Sequence, residues 1–274
     1  MVNRIGFLDS GIGGLTVLQS VLNSSPNSEQ VEEVESCIYL ADLLHLPYGP
    51  KSTLELKEIL YTNMEWFQEQ RVDSLILACN TSSGLVDRSL RQEFSQIEIF
   101  TLTEVFEGWL AHNTSDNFLL FSTQATDRIG AYRRVIEKAG KKYQSTPCPG
   151  LVDLIEAAEF PNNQSAIEKL ISGLFLDRAF KPDSIVLGCT HYPLVREIFE
   201  KLFPEAQIID PGVLMADQLK HRFDLSTERT DFQFFSSAET KDLNLKLGRY
   251  AEHFPCLKFF RAAPQIARYP LSKA

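Results

Sequence analysis

The chain has 274 residues, 44% of them hydrophobic and 23% charged, which is apolar material enough for one large domain or two small ones. Lys and Arg number 27 against 36 Asp and Glu, a formal net charge of −9 with no basic block, so nucleic-acid binding through clustered cations is not expected. No run approaches the roughly 18 apolar residues of a membrane span, Asp9 interrupts the stretch a signal peptide would keep apolar, and five cysteines make no disulfide framework; the expected compartment is the reducing cytosol.

The first predicted strand is Arg4 to Leu8, followed by the polar, Gly-rich turn Asp9-Ser10-Gly11-Ile12-Gly13-Gly14 and a helix over Leu15 to Leu22. Strand, tight turn and helix open a βαβ unit. Glu29 to Glu35 carries four Glu residues and reads as a solvated face. Ser36 to Ala41 is a second strand ending at Asp42, and Pro47-Tyr48-Gly49-Pro50 is a turn. Between Leu54 and Gln70 the residues Leu56, Ile59, Leu60, Met64 and Phe67 recur at helical spacing. Ser74 to Ala78 is a continuous apolar run of the buried parallel type, ending in Cys79-Asn80-Thr81, with a helix expected near Leu85.

The second half repeats this grammar. Asn117 to Phe121 is a strand ending in Ser122-Thr123-Gln124-Ala125-Thr126, with a helix expected from about Ile129 to Ala139. Ser184 to Gly188 is a strand ending in Cys189-Thr190-His191, with a helix from about Leu194 to Phe203. Alternating strands and helices predict an α/β fold built on doubly wound parallel sheets. Ser74 to Thr81 can be laid over Ser184 to His191, so that Cys79 and Cys189, 110 residues apart, occupy the same place in two related halves. Open α/β sheets bind ligands at the carboxyl ends of their strands, where both thiols stand.

Two thiols facing each other across a cleft could invert a stereocentre without a cofactor: one thiolate takes a proton from carbon and the opposite thiol returns one to the other face. A helix start after each cysteine would favour the thiolate. Buried, inert cysteines are the alternative. A metal site is disfavoured, because Cys189-x-His191 is no ligand pair of the C-x2-C kind and Cys148 and Cys256 have no such neighbour. A Cys-His hydrolase would leave the matched second thiol unexplained. The Asp9 turn lacks the G-x-G-x-x-G spacing and the Lys of a phosphate loop. Asp9 could instead assist a base or meet an ammonium group, with Ser10 holding a carboxylate, or it could simply cap a helix. His191 could support the thiolate or shuttle a proton, or be structural. Asn80, Thr81 and Thr190 suit a small polar ligand or a helix cap equally. Asp42, Asp153 and Glu156 read as ordinary surface or capping acids, and Cys37, Cys148 and Cys256 as structural.

Taken together, Asp9-Ser10-Gly11-Ile12-Gly13-Gly14-Leu15-Thr16-Val17, Pro47-Tyr48-Gly49-Pro50, Ala78-Cys79-Asn80-Thr81 and Gly188-Cys189-Thr190-His191-Tyr192-Pro193 resemble the glutamate racemase family of the aspartate/glutamate racemase superfamily. The resemblance covers residues 5 to about 212. It implies cofactor-independent, two-base interconversion of L- and D-glutamate, with Cys79 serving the D-isomer, Cys189 the L-isomer, and Asp9 and His191 assisting. It implies that Asp9, Ser10, Tyr48, Gly49, Asn80, Thr81, Thr190 and His191 bind substrate, and that Asp42, Thr123, Thr126 and Glu156 lie about the site. No metal is implied. A role in supplying D-glutamate for peptidoglycan follows, with glutamate as the partner, neither nucleic acid nor membrane, and a homodimer as the assembly to look for. Two pseudo-symmetric α/β domains are expected, residues 1–100 plus 211–274 and residues 101–210, with the active site in the cleft between them. A racemase for aspartate or another amino acid, and a weakly catalytic binding protein of the same fold, are the competing readings. Asp127 and Ile129 depart from the family pattern, in which an apolar residue and a Ser are usual, and bear on how a carboxylate is held; Leu43 to Leu46 is more apolar than the usual loop.

Overall fold

A computed structural model describes residues 3–24, 31–157, 160–175, 179–225, 227–238, 240–260 and 264–267. The first half contributes β1 (Arg4–Asp9), β2 (Glu32–Glu33), β3 (Ser36–Ala41), β4 (Ser74–Leu77) and β5 (Glu98–Thr101). The second contributes β6 (Asn117–Ser122), β7 (Lys142–Pro147), β8 (Ser184–Gly188) and β9 (Gln207–Ile209). The chain then adds β10 (Phe223–Asp224), β11 (Asp231–Ser236) and β12 (Gln265–Ile266).

These strands form a six-stranded parallel sheet in the order β12-β11-β3-β1-β4-β5 and a four-stranded parallel sheet in the order β7-β6-β8-β9; β10 pairs with β2 alone. The run β3-β1-β4-β5 and the run β7-β6-β8-β9 have the same connectivity, each opening with a strand whose successor lies on one side and whose later strands lie on the other. The repeat seen in the sequence is therefore a repeat of topology. Ile5 of β1 pairs with Ser74 of β4, and Phe118 of β6 pairs with Ser184 of β8, so Cys79 and Cys189 leave their sheets at corresponding places. β11 extends the first sheet along β3, from Asp231 opposite Ser36 to Ser236 opposite Ala41.

The strands β3, β4 and β8 are buried on both faces, which is why they read as continuous apolar runs. In β3, Cys37, Tyr39 and Ala41 join one core cluster while Ile38 and Leu40 join the other, the period-two alternation of a strand. Leu119 and Phe121 of β6 face one cluster of the second sheet, and Phe118 and Leu120 the other. The helix Thr53–Glu69 covers the first sheet with Leu56, Ile59, Leu60, Met64 and Phe67, and the Ser52 hydroxyl caps its start by accepting from Glu55 N–H at 3.2 Å. Among the described residues, no helix is long and apolar enough to cross a membrane. In the acid-rich stretch, Glu32, Glu33 and Glu35 are exposed; Glu29 lies outside the described residues.

Three helices differ from expectation. After Cys79 the helix begins at once, at Asn80–Ser83, and a second one, Arg88–Glu93, starts where the Asp87 side chain accepts from Leu90 N–H at 3.0 Å. The helix expected from about Ile129 to Ala139 is present as Ala131–Lys138, but a further short helix, Gln124–Ile129, precedes it where only a turn was expected, and Gly130 separates the two at φ 69°, the left-handed conformation glycine adopts without penalty. The stretch after His191 opens as a 3-10 turn, Tyr192–Val195, before the helix Arg196–Leu202; Pro193 occupies its first turn.

Candidate active site

The carboxyl ends of six strands converge on one cavity of about 300 Å³. Ser10 follows β1, the Leu46–Pro50 loop follows β3, and Cys79, Asn80 and Thr81 follow β4. From the second half, Thr123 and Gln124 follow β6, the Cys148–Gly150 turn follows β7, and Cys189, Thr190 and His191 follow β8. Both matched thiols line this cavity, Cys79 at 5% exposure and Cys189 at 6%, so each is nearly enclosed yet reaches the open space.

Each thiol has its own surroundings. Cys79 Sγ lies 3.8 Å from the Ser10 hydroxyl. Burial, reinforced by the nearby charge of Asp9, pushes its pKa up to about 11 against hydrogen bonds from Ser82 and Ser10 that pull it down. Cys79 therefore carries its proton at neutral pH. Cys189 Sγ lies 3.9 Å from Nδ1 of His191, whose Nε2 lies 2.8 Å from Oε1 of Glu156. Burial alone would lower the histidine's pKa, but hydrogen bonds to Cys189 and Glu156, and their negative charges, hold it well above the ordinary value. The helices beginning after the cysteines are only four residues long, so local N–H groups and side chains, rather than a long dipole, set the environment.

Asp9 is fully buried and is not among the residues lining the cavity. Its carboxylate accepts from Gly11 N–H at 2.9 Å and from the Thr190 hydroxyl at 3.2 Å. Burial raises its pKa, opposed by the charge of His191 and by the Gly14, Gly11 and Thr190 donors. Asp9 thus touches the second-half motif that carries Cys189, although it belongs to β1. Gly13 makes this approach possible: a Cβ there would stand 2.5 Å from His191 Nδ1 and 2.6 Å from Thr190 Oγ1.

Asp42 is likewise fully buried and is not among the residues lining the cavity. It accepts from the Tyr48 hydroxyl, from Ser237 Oγ at 2.7 Å and from Asn63 Nδ2 at 3.2 Å, and His45 Nδ1 sits 2.8 and 2.9 Å from its two oxygens. Burial works against the charge, but these partners overcome it and hold the carboxyl below its ordinary pKa. Tyr48, expected to bind substrate, gives its hydroxyl to Asp42; Tyr48 and Gly49 still line the cavity. Thr81 joins the halves: its Oγ1 lies 3.2 Å from that of Thr123 and 2.9 Å from that of Thr126, and the last two are 3.0 Å apart.

Cys148, read as structural from the sequence, lines the cavity, with its thiol 3.2 Å from the Thr146 carbonyl and its pKa pushed up to about 12 by burial. It ends β7 as Cys79 ends β4, but the strand Lys142–Pro147 is polar and half-exposed, so no apolar run announces it. Asp153, read as a surface acid, is exposed but stands at the cavity's edge beside Val152. Cys37 and Cys256 are buried in the first core. Of the departures, Asp127 and Ile129 fall away from the cavity, Asp127 accepting from the Ser145 hydroxyl and Ile129 packing against the core that includes Leu85, whereas Leu46 of the apolar loop lines it.

The Asp/Glu/hydantoin racemase family model matches residues 15–219. A glutamate racemase of Prochlorococcus marinus is 32% identical over 265 residues, covering 92% of this chain and 94% of that one. Another, of Pseudomonas aeruginosa, is 30% identical over 221 residues, covering 79% and 80%. The crystal structure of glutamate racemase from Francisella tularensis in complex with D-glutamate superposes with a TM-score of 0.79 at 24% identity, covering 97% of each chain, and shares the fold. The chain belongs to the Asp/Glu/hydantoin racemase family, among its glutamate racemases.

Proposed function

We propose that the protein interconverts L- and D-glutamate by two-base proton transfer at Cα, without a cofactor, using Cys79 and Cys189. The observation that carries this reading is that two thiols, at equivalent strand ends of two equivalent sheets, line one small cavity from opposite halves. In one direction the Cys189 sulfur, as thiolate, takes the Cα proton of L-glutamate. The electron pair of the broken C–H bond delocalises toward the α-carboxylate. The Cys79 thiol then gives its proton to the opposite face, yielding D-glutamate and leaving the two sulfurs with their protonation states exchanged. The reverse direction begins at Cys79. No net oxidation occurs.

The difficulty is the weak acidity of that C–H bond, and the cavity supplies preorganised donors in a largely enclosed space. Ser10, Asn80, Thr81, Thr190 and the Tyr48-Gly49 backbone would hold the substrate, with Thr123 and Thr126 completing the hydroxyl cluster around Thr81. His191, kept protonated by Glu156, supports negative charge at Cys189. Asp9 acts from behind Thr190. Asp42 holds the Tyr48 loop. The working unit is two lobes, residues 1–100 plus 211–274 and residues 101–210, in a cytoplasmic enzyme that supplies D-glutamate for peptidoglycan.

Circular dichroism on single enantiomers of glutamate, aspartate and other amino acids tests the substrate. Signal decay with both glutamate enantiomers and none with aspartate is expected; decay with aspartate alone would overturn the assignment.

A further inference from the structure

We infer that Tyr132 is a positioning residue of this site, acting through Asn80. The inference rests on the functional reading above and deepens it by naming what fixes one of its substrate-binding groups. Asn80 is the residue after Cys79 and lines the cavity at 3% exposure. Its side chain has two unlike ends, a carbonyl that only accepts and an amide nitrogen that only donates. Which end meets the ligand depends on what holds the other.

Tyr132 holds it. The residue lies in the helix Ala131–Lys138 of the second half, at 1% exposure, wedged among Phe106, Phe118 and Ile136. Its hydroxyl donates to Asn80 Oδ1, and among the described residues this is the partner recorded for that hydroxyl. Burial holds the phenol's pKa well above the ordinary value, so the group keeps its proton as a donor throughout the working range. A phenol accepting from the amide nitrogen instead would leave its own buried proton without a partner, which costs more than a solvated donor. The asparagine is thereby locked with Oδ1 toward Tyr132 and Nδ2 left as the donor, which suits a carboxylate oxygen and refuses an ammonium. The bond also crosses between the halves, so the donor next to one catalytic thiol depends on the placement of the lobe that carries the other.

The test is a double-mutant cycle on the full chain with Tyr132→Phe, Asn80→Ala and the pair, measuring kcat and KM for both glutamate enantiomers and the melting temperature of each protein. Tyr132→Phe removes one oxygen and keeps the packed ring. KM should rise about three- to tenfold, the scale of one net hydrogen bond, with kcat less affected. In the Asn80→Ala background the same change should leave KM within about twofold, because the residue it acts through is gone. A wild-type chain inert toward glutamate overturns the functional reading and the inference with it. An active wild type whose KM is untouched by Tyr132→Phe, or effects that simply multiply in the pair, overturns the inference alone. So does a KM change that Asn80→Ala fails to reproduce.

Discussion

Nε2 of His191 lies 2.8 Å from Oε1 of Glu156, and Nδ1 of the same ring lies 3.9 Å from the Cys189 sulfur, so one buried imidazole joins a carboxylate to a thiol. Glu156 is one of the groups that keep the ring's pKa raised. In Glu156→Gln the ring loses that charge and should deprotonate at lower pH. The alkaline limb of kcat/KM should then move down by about one pH unit, the usual scale for losing an adjacent opposite charge. An unmoved limb would separate Glu156 from the proton chemistry.

Cys79→Ser and Cys189→Ser test the thiols themselves. An alcohol is a far weaker acid than a thiol, so either change should reduce racemisation by about 10³-fold or more in both directions. Melting temperatures near that of the wild type would show that the fold survived. Substantial residual turnover in either variant would contradict the two-base assignment.

Gly13→Ala should damage the site without replacing any of its side chains. The added Cβ would stand 2.5 Å from His191 Nδ1 and 2.6 Å from Thr190 Oγ1, so the ring must shift from its present position. Displacements of this order can cost about 10²-fold in rate. Steady-state kinetics that match the wild type would mean that the ring tolerates the shift.

Asp42→Ala should act chiefly on stability. It strips a buried carboxylate from Tyr48, His45, Asn63 and Ser237, and losing one partner of such a network costs about 3 kcal/mol. The carboxyl's pKa is depressed in the fold. Its contribution is therefore complete above the unfolded value of about 4 and is lost as pH falls through the lower folded value. Denaturant titrations of wild type and variant should converge as the pH is lowered through that window. A constant gap would assign the effect to packing.

Asp127→Ala should leave kcat and KM within about twofold of wild type, because the carboxylate bonds to Ser145 outside the cavity. A large KM change would return Asp127 to the site.

The parts of the fold legible in the sequence are those where one local rule dominates. Ser36–Ala41 and Ser184–Gly188 are buried on both faces and appear as uninterrupted apolar runs. The strand Lys142–Pro147 is polar and partly exposed, and with it went the place of Cys148. The thiols, the Ser10 turn and His191 were legible because each follows a readable strand. The links behind them were not. The Glu156–His191 contact, the Asp9–Thr190 bond and the Tyr132–Asn80 bond join residues 35, 181 and 52 positions apart, and local sequence carries no record of such pairings. The break at Gly130 depended on a left-handed backbone angle that a helical pattern conceals.

The central claim, proton transfer by opposed thiols, is tested most directly by racemisation of L-glutamate in D2O without added cofactor, followed by proton NMR at early conversion. Two bases predict that the first D-glutamate formed carries deuterium at Cα while the remaining L-glutamate keeps its protium. D-glutamate that retains the substrate's own hydrogen, or the absence of any exchange, would contradict it.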